Sequence, residues 1–76
     1  MIRISNIVYQ DDYVLKISFD DGYVKELDFE NILDFQGLAA ILKNKDYFKN
    51  VKILRNGRSF GWDNDYDCCA DWARKL

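Results

Sequence analysis

The run Asp63-Asn64-Asp65-Tyr66-Asp67 sets acids at every second position, as a calcium-binding loop begins. Such a loop also needs glycine at its sixth position and glutamate at its twelfth. Cys68 and Arg74 stand there instead, so the run is not that motif. A looser Mg²⁺ or Ca²⁺ site is the weaker alternative. The preferred reading is a solvated acidic loop, with Asp67 capping a helix that follows. No metal and no cofactor is expected.

Covalent chemistry fares worse. The chain has no histidine and no threonine, and its only serines are Ser5, Ser18 and Ser59. A hydroxyl nucleophile has no imidazole to activate it. Cys68 and Cys69 are adjacent, and a disulfide between neighbours strains the intervening peptide. They read as a reduced, structural pair. Asp11-Asp12 and Asp20-Asp21 fall in turns, where aspartate is expected for conformational reasons, so they do not single out an acid–base pair. No glycine-rich phosphate loop is present. The chain is expected not to be an enzyme.

What remains is recognition. Thirteen acids against eleven bases give a net charge of −2, which offers no general attraction to nucleic acid or anionic lipid. The charge is unevenly spread. Asp63, Asp65, Asp67 and Asp71 make the C-terminal segment acidic, while Lys43, Lys45, Lys49, Lys52, Arg55 and Arg58 make the middle basic. Tyr66 and Trp72 stand among the acids. Asp63, Asp65, Tyr66, Asp67, Asp71 and Trp72 are therefore the candidate partner-binding set, suited to a basic protein surface. Direct nucleic-acid binding through residues 43–58 is the rival, and it lacks a clear interleaving of bases with exposed aromatics. The longest apolar stretch, residues 38–42, is too short to span a bilayer, and the N-terminus does not read as a signal peptide. A cytoplasmic protein without membrane contact is expected. Oligomeric state is not legible.

These side chains need a scaffold, and 76 residues allow one domain, 1–76. Alternation predicts strands over 2–9, 13–19 and 23–29. Ile2, Ile4 and Val8 share one side of the first, and Ile7 breaks the pattern. Between the second and third, a three-residue loop with Gly22 left-handed sets Phe19 opposite Tyr23 and Leu15 opposite Leu27. That register aligns the apolar faces and leaves Lys25 to reach an edge. Residues 30–35 suit a helical turn ended by Gly37. Leu38, Ile41 and Leu42 form an apolar stripe, and 46–48 a further turn. Asn56-Gly57 predicts a type I′ hairpin joining 51–55 to 58–62. It places Val51, Ile53, Phe60 and Trp62 on one buried face. A helix over 68–75, capped by Asp67, closes the chain. The fold class is α+β: a small antiparallel sheet of about five strands, with short helices in the middle connection and at the C-terminus.

The sequence resembles the small bacterial domain-of-unknown-function 2442 family. The resemblance runs through Tyr13-Val14-Leu15 to Phe19, Phe19-Asp20-Asp21-Gly22, Leu27-Asp28-Phe29, Leu38 to Leu42, Tyr47-Phe48 and Gly61 to Asp67. Two positions depart from the family pattern. Asp65 stands where glycine is common, and Cys68 or Cys69 where a proline is common. The resemblance implies a small antiparallel α+β fold and no established activity. Some relatives resemble the N-terminal half of helix-turn-helix proteins, and others look like partners in toxin–antitoxin gene pairs. With the sequence ending at Leu76, no attached DNA-binding domain is expected. The expectation is a non-enzymatic protein-binding module, an antitoxin-like or regulatory partner of bacterial or phage origin. Two alternatives stand beside it. One is a phage-encoded inhibitor of a nucleic-acid-binding defence complex, with its acids substituting for phosphates. The other is a nucleic-acid-binding accessory domain.

Overall fold

A computed structural model describes residues 2–76. The fold is α+β, but its strands divide between two three-stranded antiparallel sheets rather than one sheet of five. Strands β1 (Ile4–Tyr9), β2 (Val14–Phe19) and β3 (Val24–Asp28) form the first, in that order. Strands β4 (Lys52–Leu54), β5 (Ser59–Gly61) and β6 (Asp67–Cys69) form the second. Helices α1 (Phe29–Ile32) and α2 (Lys45–Phe48) flank a 3₁₀ segment, Gly37–Lys43, between the sheets. Helix α3 (Ala70–Lys75) closes the chain.

Turn chemistry fixes both hairpin registers as the sequence predicts. Leu15 pairs with Leu27 and Ile17 with Lys25. Gly22 has φ +90°, and Phe19 N–H donates to Tyr23 C=O across a three-residue loop. In the second hairpin Ile53 pairs with Phe60 and Lys52 with Gly61. Asn56 (φ 57°) and Gly57 (φ 90°) are left-handed, as a type I′ pair must be. Arg55 is left-handed too, so four residues rather than two separate the strands. Phe60 and Trp62 are buried and Val51 is half-buried, but Ile53 is 40% exposed on the outer strand of its sheet. Gly61 and Ser59, on the opposite face, are also buried. Strand β5 is thus covered on both sides.

Four local expectations are corrected. The break at Ile7 is a β-bulge: Ile4 opposes Phe19 while Asn6 opposes Ser18, leaving Ser5 extra. The bulge inverts the faces beyond it, so Ile7 turns inward and Val8 is exposed. Gly37 does not end a helix but begins the 3₁₀ segment. With three residues per turn, that segment buries Ala39 and Leu42, three apart, and leaves Leu38 and Ile41 outside. Finally, Asp67 is not a helix cap. Residues 67–69 are drawn into a sixth strand beside β5, and α3 starts after Cys69 with no side-chain cap.

One aromatic core spans both sheets. Phe29, Phe48 and Phe60 are fully buried, and Phe48 meets Tyr13, Phe29 and Trp62 with ring centroids 5.4, 5.9 and 5.6 Å away. The Trp62 indole N–H donates to Phe48 C=O at 2.9 Å, so its one polar atom is satisfied in the interior. Helix α3 is tied to the first hairpin by Arg74. Its guanidinium lies over Tyr23 and Phe19, 4.0 and 5.1 Å from the ring centroids, and meets the Asp21 carboxylate at 2.9 Å. Lys25 reaches the edge expected of it by donating to the Arg74 carbonyl at 2.9 Å.

Candidate functional site

The acidic loop is the turn of the β5–β6 hairpin. Trp62 N–H donates to Tyr66 C=O at 3.0 Å, and Gly61 pairs with Asp67. Residues 63–65 therefore make a three-residue loop of the same kind as 20–22. In such loops the last residue is left-handed. Asp65 holds that place, with φ 67°, where Gly22 holds it in the first hairpin. Two contacts fix the loop. The Asn64 side-chain oxygen accepts from Tyr66 N–H at 3.3 Å, and its amide donates to Leu38 C=O at 2.6 Å. Gly61 is required beneath it: a Cβ there would collide with Tyr66 O and lie 2.8 Å from Asp67 Cα.

A cavity of about 430 Å³ opens beside this turn, lined by Leu54, Arg55, Trp62, Asp63, Asp65 and Asp67. Three of the six predicted site residues thus share one concave surface. Two of the three are already matched. Lys52 pairs with Asp63, and Arg55 pairs with Asp67. Arg55 also donates to Ser59 Oγ at 3.0 Å. Asp65 is exposed and has no hydrogen-bond or ion-pair partner among the described residues. Tyr66 stacks on Trp62, centroids 6.0 Å apart, and burial raises its phenol above the ordinary value, with Cys68 and Asp34 adding to the effect. Asp71 and Trp72 lie apart on α3. Asp71 is exposed in the first turn, and Trp72 rests on Phe29, 6.4 Å between rings, while 37% exposed.

Lys52, Arg55 and Leu54 were not among the predicted residues. The signal for them was present. Pairing Ile53 with Phe60 sets Lys52 opposite Gly61, one strand away from the acids that follow. The same contacts reduce the basic middle segment. Lys45 pairs with Asp12 at 2.9 Å, which holds its ammonium above the ordinary lysine range. Lys49 lies 4.0 Å from Asp46. Lys43 and Arg58 are the two of its six bases without an acid partner among the described residues.

Among the described residues, no three His, Cys, Asp or Glu side chains gather as a metal-binding group. Cys68 is buried and its thiol is pushed up to about 12, chiefly by burial and then by Asp67 and Cys69. Cys69 is exposed. No described helix is long and apolar enough to cross a membrane.

A sequence profile of the family described as "Protein of unknown function (DUF2442)" matches residues 4–71. The chain belongs to this family. The match ends within the first turn of α3, so it takes in both sheets and the whole acidic loop. Among curated proteins and solved structures, no match is found.

Proposed function

We propose that this chain is a non-enzymatic module that binds another protein, and that the turn Asp63–Asp67 receives a lysine or arginine of that partner. Asp65 carries the reading. It occupies a left-handed position, a conformation that costs most L-residues about 1–2 kcal/mol and aspartate somewhat less. Glycine would fill the place without that cost. The carboxylate is exposed and lines a cavity together with Leu54 and Trp62, and no group of the described chain uses it. An incoming cationic side chain would lay its aliphatic stem on Leu54 and Trp62 and its charge against Asp65. Asp63 and Asp67, held by Lys52 and Arg55, would shape the rim and steer the encounter. Trp72, half-exposed on α3, is a second aromatic contact.

An antitoxin-like or regulatory role is one setting for such a module. Inhibition of a nucleic-acid-binding defence protein is another, since its cationic groove presents the same chemistry. Direct nucleic-acid binding has less support, because four of the six bases in residues 43–58 already face acids. The test is affinity capture from nuclease-treated extract with wild-type and Asp65→Asn bait. Asparagine keeps the tolerance for the left-handed backbone and removes the charge. A protein held by the wild type and lost from the variant supports the reading. Equal capture by both baits, or capture abolished by nuclease, overturns it.

A further inference from the structure

Strand β3 is the last strand of its sheet, and the parity of its ladder is fixed. Phe19 N–H donates to Tyr23 C=O, and Phe29 N–H to Tyr13 C=O. Tyr23, Lys25 and Leu27 therefore turn their backbone groups toward β2, and Val24 and Glu26 turn theirs away. On that outer side no strand follows among the described residues, and Val24 and Glu26 are both exposed. Natural sheets usually blunt such an edge with proline, a bulge or an inward charge. Here the chain has no proline, the ladder to β2 is unbroken, and the Lys25 ammonium is withdrawn onto the α3 carbonyl of Arg74.

We propose that the free edge of β3 accepts an extended strand from a partner protein, with lysine or arginine at alternate positions. The proposal rests on the reading of the chain as a protein-binding module and adds a second contact surface to it. Backbone groups of Val24 and Glu26 supply the hydrogen bonds, and alternate side chains supply the selectivity. Glu26 lies opposite Lys16 of β2 on the outer face, so a cation on its other side continues an alternating ladder. Asp28, the last residue of the strand and the next outward one, favours the same charge. A second copy of the chain is a poor occupant. Two-fold pairing about residue 26 sets Glu26 against Glu26 and pairing about 27 sets Glu26 against Asp28, and like charges destabilise strand pairing. Pairing about 25 sets Glu26 only against Val24, which offers it no cation.

The probe is a blocked, fluorescent nine-residue peptide of alternating lysine and valine. It is compared with a copy N-methylated at alternate residues and with a glutamate–valine copy. Hydrogen exchange read by NMR should show at least tenfold slower exchange of the Val24 and Glu26 amides with the lysine peptide alone. Glu26→Lys should weaken that peptide at least tenfold. Val24→Pro should do the same, because it removes an N–H that β2 does not use. If Val24→Pro fails to fold, Glu26→Lys and the N-methylated peptide decide the matter. Three results overturn the proposal: indifference to N-methylation and to Glu26→Lys, protection confined to residues 63–67, or sedimentation showing a dimer that Val24→Pro dissociates. Partner capture that requires Asp65 but survives Glu26→Lys would defeat the edge proposal alone. Capture indifferent to Asp65 would defeat the reading it rests on.

Discussion

Gly22 and Gly57 share a φ of +90° in opposite surroundings, so alanine at each separates turn strain from packing between the sheets. At Gly22 a Cβ would meet nothing within 4 Å. Alanine there should cost only the left-handed penalty, about 1–2 kcal/mol. At Gly57 a Cβ would lie 2.5 Å from Ile4 O, 3.1 Å from Ile4 N and 3.2 Å from Arg3 Cβ. Two of those atoms belong to the backbone at the start of β1, so the relief must be a shift of the first sheet against the second. Overpacking of that kind adds about 1–3 kcal/mol, for a total of about 2–5 kcal/mol. A chain of this length has roughly 4–11 kcal/mol to lose. Urea unfolding followed by tryptophan fluorescence measures both variants. With a slope of about 1 kcal/mol per M, Gly22→Ala should lower the midpoint by about 1–2 M. Gly57→Ala should lower it markedly further or leave no folded baseline. Equal losses at the two sites would refute the close approach of β1 to the β4–β5 turn.

Asp65→Gly should leave the melting temperature unchanged or raised, whereas Asp65→Ala should lower stability by about 1 kcal/mol through the left-handed penalty; equal melting temperatures for the two would deny the three-residue loop at 63–65. A thiol reagent at pH 8 should label Cys69 and spare Cys68 in the native protein, and label both in urea, because Cys68 is buried and its thiol is raised to about 12. Arg74 holds the Asp21 carboxyl below its ordinary value, first through the side-chain hydrogen bond. A depressed carboxyl stabilises the fold above its unfolded pKa and loses that contribution as pH falls through the folded one. Arg74→Ala should therefore flatten the stability–pH curve on the acid side of pH 4, as urea titrations at stepped pH would register.

Much of the scaffold was legible because its turns carry stereochemical signals. Gly22 and Asn56-Gly57 each demand positive φ, and each fixed a register that the apolar alternation then supported. The misses share another cause, the influence of residues distant in sequence. The broken alternation at Ile7 marks the place, but only the pairing with β2 shows that β1 bulges there to keep both Ile4 and Ile7 toward the core. Residues 67–69 read locally as a helix start, and become β6 only because β5 offers them an open edge. The spacing of Leu38, Ile41 and Leu42 suits an α-helical stripe, but at three residues per turn the buried pair is Ala39 and Leu42. The acids of the site were visible from their spacing. Lys52 was legible as a partner, since the β4–β5 register sets it opposite Gly61, but Arg55 meets Asp67 only because residues 67–69 join β5 as a third strand. Asp65 was visible as a departure from a common glycine, but its left-handed φ gives that departure meaning.

The most direct test of the binding site is the association rate of a captured partner with the wild type and with the Asp63→Asn, Asp65→Asn double variant, measured across salt concentrations. Three carboxylates and two cations meet at the loop, so the double variant turns one net negative charge into one net positive. Exposed ion pairs contribute about 0–1 kcal/mol, so the melting temperature should hardly move. The account predicts a slower association for the variant at low salt, with the two rates converging as salt screens the loop. Equal rates at every salt concentration, with both proteins folded, would contradict it.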